Sequence, residues 1–201
     1  YSAIEGKITD PRGKAFNDKY PFAKESQNTV EINAGDNRRL HNVWNYADAD
    51  NLNTDQMFAG NLTYNVLSSD AEAIMPNLFE GFDPNFAKKV QKGDIIIAGE
   101  NFGCGSSREH PAVGLAHAEV KAVIVKSVNR IFYRSCINQG LALIVNKEIV
   151  ENYKAGDKVD IDFAGGIIKI NDKNFRFAPL PDKLMQIIEK KGLVNWMKSE
   201  A

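Results

Sequence analysis

Three largely apolar runs lie in the middle of the chain, at residues 95–98, 120–125 and 141–145, with Lys121 as the one charged residue among them. Near-continuous apolar runs of this length are typical of strands that are covered on both faces. The segments between them, residues 112–118 and 130–139, carry apolar positions at helical spacing, and Gly140 follows where helices commonly end. The order strand, helix, strand, helix, strand predicts a parallel α/β core.

Shorter patterns precede this core. Residues 42–46 alternate between apolar and polar positions, which predicts a strand. Residues 68–75 predict a short helix, which Ser69 or Asp70 caps and Pro76 ends.

The C-terminal part has a different, antiparallel pattern. Alternating segments separated by the glycine pair at 165–166 and by residues 171–174 predict an added C-terminal β-hairpin with a third strand. The three segments are residues 158–163, 167–170 and 175–177. Apolar residues on one face then predict a helix over residues 181–191, which Gly192 stops.

The first 41 residues are separate from these patterns. Residues 4–8 and 29–32 predict short strands, and the turn-forming residues around them indicate a hairpin or an arm. Residues 1–41 are therefore interpreted as an N-terminal extension. Because neither repeats nor low-complexity linkers follow, residues 42–201 are interpreted as one compact domain.

The composition, 43% hydrophobic and 25% charged residues in a chain of 201, is typical of a globular domain with a sizeable core. The 25 Lys and Arg residues nearly balance the 26 Asp and Glu residues, so charge gives no reason to expect nucleic acid or an anionic membrane as a partner. No apolar run approaches the length of a membrane span, and a signal-peptide pattern is absent from the first residues. The sequence therefore predicts a cytoplasmic protein.

The two cysteines, Cys104 and Cys136, are too few for a disulfide framework, a structural zinc site or a protein-held iron–sulfur cluster. Any such cluster must come from another chain. Cys104 precedes a predicted helix, where a thiol can become nucleophilic, but the same place suits a small turn residue, which we favour. The acidic residues of 48–55 lack the spacing and the closing glutamate of a calcium loop. We therefore predict that this chain itself binds neither a metal nor a cofactor.

The densest group of polar side chains lies in residues 99–110, with the sequence GENFGCGSSREH, between the first apolar strand and the first core helix. Its glycines permit a tight turn, and Ser106 or Ser107 is expected to cap a helix whose first turn contains Glu109. Amides at a helix N-terminus attract anions, and the guanidinium of Arg108 matches a carboxylate or a phosphate in two hydrogen bonds. The segment thus predicts a site for a small anion.

A glycine turn before a helix often does no more than redirect the chain. Here, however, two hydroxyls, a guanidinium, a carboxylate and an imidazole lie within five residues at the carboxyl end of a strand, where open α/β sheets bind ligands. This density favours a functional site. His110 is expected on the helix surface or behind the residues that line the site, rather than as a proton carrier.

Four segments together resemble the small subunit of the isopropylmalate dehydratase and homoaconitase group, which corresponds to the swivel domain of aconitases. They are residues 50–55 (DNLNTD), 92–99 (KGDIIIAG), 101–110 (NFGCGSSREH) and 130–140 (RIFYRSCINQG). The likeness extends over residues 42–198, and the N-terminal forty residues fall outside it.

The resemblance implies an aconitase swivel-type β/β/α domain that closes over a separate large subunit, the expected holder of a [4Fe-4S] cluster. It also implies a dehydration and rehydration that moves a hydroxyl between neighbouring carbons of a small 2-hydroxy acid. By the match of the motif, Ser106 is the catalytic base, acting as an alkoxide, and Ser107 and Arg108 hold a substrate carboxylate. The cluster iron would bind the leaving hydroxyl as a Lewis acid. This chain is therefore expected to be inactive without the large subunit.

One departure from the family pattern concerns the loop that helps to choose the distal group of the substrate. The family usually has Tyr-Leu-Arg-Thr there, whereas residues 61–66 have the sequence NLTYNV, without arginine. Thr63 and Tyr64 are the predicted substrate-binding residues of this loop. Since an uncharged loop suits an apolar substituent, the prediction is conversion of 2-isopropylmalate to 3-isopropylmalate in leucine biosynthesis.

Other functions stay open at this point. One is a related dehydratase for a methylated malate, citramalate or homoaconitate. Another is a non-catalytic subunit that binds anions or phosphate, or that serves only to bind a partner.

Overall fold

The computed structural model of the chain describes residues 42–200. The strands predicted at residues 4–8 and 29–32, and the extension predicted at residues 1–41, lie outside this range. Within it, none of the helices has the length and apolar character needed to cross a membrane.

Two sheets are present in the described part of the chain. The strands of the first are β1 (Val43–Tyr46), β2 (Ile95–Ala98), β3 (Ala122–Val125) and β4 (Leu143–Val145), and those of the second are β5 (Val159–Asp162), β6 (Ile167–Ile170) and β7 (Lys173–Arg176). The helices are α1 (Thr54–Met57), α2 (Ala71–Ile74), α3 (Phe86–Lys89), α4 (His110–His117), α5 (Arg130–Gln139), α6 (Lys147–Asn152), α7 (Asp182–Glu189) and α8 (Leu193–Glu200). Short 3₁₀ helices occupy Gly60–Tyr64 and Met75–Asn77.

The first sheet is parallel, in the spatial order β1-β2-β3-β4, which confirms the predicted α/β core. Helices α4 and α5 connect β2 to β3 and β3 to β4, as the apolar runs indicated. Strand β1 adds a fourth strand, with Val43 opposite Ile95. Gly140 ends α5 in the left-handed conformation, φ 72°, as predicted.

The two faces of the parallel sheet bury different cores, because neighbouring residues of a strand point to opposite sides. Ile96 and Ala98 of β2 join a cluster with residues of α4 and α5. Ile95 and Ile97 join a second cluster with residues of α6 and of the antiparallel sheet. The layers are therefore an antiparallel sheet, a parallel sheet and helices, which is the predicted β/β/α arrangement.

Details at the C-terminal end differ from prediction. The second turn of the antiparallel sheet is shorter, because β7 begins at Lys173 and Asn171 adopts a left-handed φ of 50°. Helix α7 ends before Gly192, and beyond this glycine the chain forms α8, which was not predicted. No residue of α8 is buried, and its first turn is closed by the backbone N–H of Trp196, which donates to Gly192 O at 3.0 Å.

The carboxylate of Asp94 connects β1 to the turn before β2. It is only 3% exposed and accepts hydrogen bonds from the backbone of Asn42 at 3.1 Å, the indole of Trp44 at 2.9 Å and the backbone of Gln91 at 3.0 Å. A buried donor that loses its acceptor costs the full desolvation of that group. Asp94 therefore fixes the edge strand β1 in the sheet.

We expect Asp94→Ala to lower the free energy of unfolding by about 2–4 kcal/mol, because it leaves three donors without an acceptor. Urea denaturation followed by tryptophan fluorescence measures the change. The control is Asp48→Ala, at an exposed position, which is expected to change stability by less than about 0.5 kcal/mol. Equal stability of the two variants would contradict the role of Asp94.

The two cysteines differ in burial. Cys136 is completely buried in α5, and burial raises the pKa of its thiol, whereas Cys104 is partly exposed. At pH 8 we expect a thiol reagent to label one cysteine of the native chain, at Cys104, and both after unfolding in guanidinium. Two labels on the native chain would contradict this burial.

Candidate functional site

The segments that follow β1 and β2 come together at the carboxyl edge of the parallel sheet. Gly103 N–H donates to Leu52 O at 2.9 Å, Thr54 N–H donates to Cys104 O at 2.8 Å, and Asn53 and Cys104 form a parallel bridge. The pairing of the two strands thus continues past their ends. It places the start of α1 beside the glycine-rich segment.

Asn53 makes the start of α1 rigid. Its side chain accepts from Gln56 N–H at 2.9 Å, and the Gln56 side chain accepts from Asn53 N–H at 3.0 Å. This reciprocal pair is a capping box. The helix that it begins carries Thr54 and Asp55, the two residues that face the motif.

Ser106 is held by Thr54 and by Arg108. Ser106 N–H donates to Thr54 Oγ1 at 3.0 Å, and the two hydroxyl oxygens lie 3.2 Å apart. The Nε of Arg108 donates to Ser106 Oγ at 2.5 Å. A guanidinium donor this close stabilises negative charge on the serine oxygen.

The guanidinium of Arg108 is also paired with a carboxylate of its own chain. Its Nη2 donates to Asp55 Oδ1 at 2.6 Å, and the Arg108 side chain is 24% exposed against 54% for Asp55. Its Nη1 is buried and has no hydrogen-bond partner among residues 42–200. The donors on Nε and Nη2 are thus engaged by groups of this chain.

Gly60 lies directly against this ion pair. A Cβ atom at position 60 would be 2.7 Å from Arg108 Nη1 and 2.8 Å from Asp55 Oδ1. A side chain at position 60 would therefore have to displace the ends of the Arg108 and Asp55 side chains. The 3₁₀ helix that starts at Gly60 thus approaches Arg108 with its backbone at this position.

The predicted helix cap is wrong. Neither Ser106 nor Ser107 caps α4, which begins at His110 after Glu109 and contains Pro111 in its first turn. Left-handed φ angles at Gly103 and Gly105, 69° and 97°, keep the motif irregular. The Ser106 side chain is engaged by Thr54 and Arg108, and Ser106 N–H is already bonded rather than free for an anion.

Among residues 42–200, the other predicted site residues are not hydrogen-bonded to this centre. Ser107 is exposed. The hydroxyl of Thr63 donates to Gly60 O at 2.6 Å, and Tyr64 is 88% exposed. Within the described range, no hydrogen bond joins these three side chains to Ser106 or Arg108.

His110 occupies the second of the two places expected for it. It does not lie on the surface of α4, because it is 7% exposed and stacks on Phe58, with ring centroids 4.9 Å apart. It does lie behind the motif, at the junction of α4 with the segment after α1.

The sequence alone did not indicate that Thr54, Asp55 and Gly60 belong to the site. Residues 50–55 stood out as part of the family likeness, and the acidic residues among them were considered only as a calcium loop, which their spacing excludes. The pattern Asn53-x-x-Gln56 is the sequence signal that a capped helix starts there. Because β1 pairs with β2, this helix lies beside the motif that follows β2.

The described residues do not provide ligands for an iron–sulfur cluster. Protein-held clusters generally need four cysteine thiolates, and here Cys136 is buried in the core while Cys104 Sγ donates to Asn51 O at 3.4 Å. In the part of the chain that the structure describes, no three His, Cys, Asp or Glu side chains are grouped to hold a metal ion.

Comparisons with known proteins agree with this fold. The family model described as Aconitase C-terminal domain matches residues 18–148. The 3-isopropylmalate dehydratase small subunit 1 of Thermotoga maritima is 43% identical over 158 residues, which cover 78% of this chain and 92% of that protein. The 3-isopropylmalate dehydratase small subunit of Aliarcobacter butzleri is 41% identical over 160 residues, 79% of this chain and 93% of that protein.

A solved structure of a related protein has a similar fold. The crystal structure of 3-isopropylmalate dehydratase (leuD) from Methanocaldococcus jannaschii matches with a TM-score of 0.70 and 36% identity, and covers 80% of this chain and 93% of that one. The family model spans more than half of the chain, and the relatives match over nearly their full length. Together these matches establish homology. The chain belongs to the aconitase C-terminal domain family, together with the small subunits of 3-isopropylmalate dehydratase.

Proposed function

We propose that this chain is the small subunit of a hydro-lyase that converts 2-isopropylmalate to 3-isopropylmalate in leucine biosynthesis, and that Ser106 is its base. One observation supports this role above others: the guanidinium of Arg108 donates to Ser106 Oγ at 2.5 Å. A serine hydroxyl is a very weak acid, so it becomes a base only where positive charge stabilises the alkoxide. The relatives named as 3-isopropylmalate dehydratase small subunits support the choice of reaction.

The proposed step of this chain is a proton transfer. Dehydration removes a proton from the carbon next to the one that bears the hydroxyl and expels that hydroxyl. Ser106 Oγ, as an alkoxide, takes the proton, and the hydroxyl would be bound by a Lewis acid of the large subunit. Rehydration returns a proton from the same oxygen. Thr54 orients Ser106 by accepting its amide N–H, and Arg108 stabilises the negative charge on Oγ before the proton is taken and again after it is returned.

Substrate binding is proposed for Ser107 and Arg108. Asp55 now accepts from Nη2 of Arg108, so a substrate carboxylate either replaces Asp55 there or binds beside it. Because Asp55 is 54% exposed, its release from the pair has a modest cost. Ser107 is exposed next to this pair and can donate its hydroxyl to the same carboxylate.

The partner in this proposal is a separate large subunit. The relatives' description as small subunits supports such an assembly. A [4Fe-4S] cluster would belong to the large subunit, since the described residues of this chain do not form a ligand set for one. The proposal retains the predicted cytoplasmic location, with residues 42–201 as the swivel domain and residues 1–41 as an added extension.

The proposed substrate follows from the segment that starts at Gly60. Residues 61–66 contain no cation, and Thr63 and Tyr64 are its proposed contacts with the substrate. An isopropyl group needs no counter-charge, whereas a second distal carboxylate would lack a partner on this segment.

We expect Ser106→Ala to lower kcat by about 10²–10⁴-fold, because the base for proton removal is lost. The measurement is 2-isopropylmalate turnover by the complex co-expressed with the large subunit, with assembly checked by size-exclusion chromatography. The matched control is Ser69→Ala at an exposed serine, which should retain wild-type turnover. Full activity of an assembled Ser106→Ala complex would contradict the role of Ser106 as the base and would favour a non-catalytic role for this chain.

We expect the complex to prefer 2-isopropylmalate to homocitrate by about tenfold to a hundredfold in kcat/KM, since an unpaired carboxylate costs about 1–3 kcal/mol. Thr63→Arg should narrow this preference by supplying a cation, while Thr63→Gln, similar in length but uncharged, should not. A wild-type preference for homocitrate would contradict the proposed substrate.

A further inference from the structure

The side chain of His110 connects two parts of the candidate site: the motif that contains Ser106 and Arg108, and the chain segment that follows α1. It is the first residue of α4 and follows Arg108 by two positions, yet it is 7% exposed. Its ring stacks on Phe58 with an interplanar angle of 14°, and its Nε2 lies 2.9 Å from Val66 O. The ring therefore lies between the catalytic motif and the chain that leaves α1.

The hydrogen bond to Val66 determines the tautomer of this histidine. A carbonyl oxygen can only accept, so Nε2 carries a proton, and of the two tautomers this bond selects the one with Nδ1 unprotonated. Nδ1 is buried and has no hydrogen-bond partner within residues 42–200. A phenyl ring could stack on Phe58 equally well, so the contribution specific to imidazole is the hydrogen bond to Val66.

The segment that this bond holds is the one that covers Arg108. Gly60 lies against the guanidinium at one end of the segment, and Val66 O accepts from His110 at the other. Between them, the amides of Asn65 and Val66 donate to Leu62 O at 3.0 and 2.9 Å, so the segment is one hydrogen-bonded unit. Residues 108 and 110 thus contact both of its ends.

Contacts on the outer side of this segment are few. Tyr64 is 88% exposed and Leu67 is 73% exposed, whereas Leu62 and Val66 pack partly against the core. Among the hydrogen bonds of residues 42–200, Val66 O accepts only the one from His110. The position of the segment therefore depends on its contacts with the core and with residues 108 and 110. At Val66, the end away from Gly60, the polar contact is the hydrogen bond from His110.

We infer that His110 is a positioning residue for substrate selection: its Nε2–H holds Val66 O and thereby keeps the segment 60–66 in place over Arg108. The inference rests on the proposed function in one respect, because it takes residues of this segment to contact the substrate. His110 itself touches neither the reacting atoms nor the substrate. Its loss should loosen the segment and weaken substrate binding, and leave the proton transfer by Ser106 nearly unchanged.

Two variants separate the hydrogen bond from the packing. His110→Phe keeps a ring to stack on Phe58 but removes the donor. His110→Gln removes the ring but can place an amide donor near the position of Nε2. His117→Phe is the matched control, because His117 is an exposed histidine at the other end of the same helix.

The first readout is hydrogen exchange of the assembled complex, followed at the amides of Asn65 and Val66. We expect exchange to accelerate about fivefold or more in His110→Phe, the equivalent of one lost hydrogen bond, and to return toward the wild-type rate in His110→Gln. His117→Phe should exchange as the wild type does. Nitrogen NMR of the wild-type full chain should find the Nε2–H tautomer at His110, a result that does not depend on any variant folding.

The second readout is kinetic. For 2-isopropylmalate, His110→Phe should raise KM about fivefold and change kcat by less than about twofold, with recovery in His110→Gln. Unchanged exchange in His110→Phe, an Nδ1–H tautomer, or faster exchange with an unchanged KM would each overturn the inference. A wild-type complex without dehydratase activity would contradict the proposed function instead, and the exchange and tautomer measurements would then decide the role of His110.

Discussion

The pairing of β1 with β2, continued past the ends of both strands, determines where every group of the candidate site lies. Backbone bonds between Leu52 and Gly103 and between Thr54 and Cys104 extend the parallel register to the start of α1. Because of this extension, a hydroxyl and a carboxylate from one segment face a serine and an arginine from another, about fifty residues later in the chain. The buried carboxylate of Asp94 contributes from the opposite end of the strands by fixing β1 against the turn before β2.

The arginine of the site is shared between two partners within its own chain. Nε of Arg108 donates to the Ser106 hydroxyl and Nη2 donates to the Asp55 carboxylate, so the guanidinium plane is fixed before any substrate arrives. Preorganised charge of this kind stabilises an oxyanion without further reorganisation. The same arrangement means that Asp55 competes for Nη2 with any carboxylate that binds there.

The apolar runs were sufficient to predict the parallel core, since strands covered on both faces have an unmistakable local pattern. Local pattern could not show that β1 borders β2, because an edge strand alternates and resembles a strand of the antiparallel sheet. It also could not show that the side chain of Ser106 is engaged by Thr54, 52 positions earlier, and therefore does not cap α4. Local pattern also left open whether His110 is exposed or lies behind the motif: a polar residue at the start of a helix is usually exposed, and only the chain packed across it makes the difference.

The contacts that join the 60–66 segment to residues 108 and 110 use backbone atoms of that segment. Gly60 contacts Arg108 without a side chain, and Val66 contributes its carbonyl oxygen. Neither attachment depends on which side chains stand at positions 61, 64 and 65, so these can be exchanged while the fold of the segment stays the same. In the proposed function, selectivity for the distal part of a ligand is in this sense modular, separable by mutation from the chemistry of Ser106 and Arg108 in the neighbouring motif.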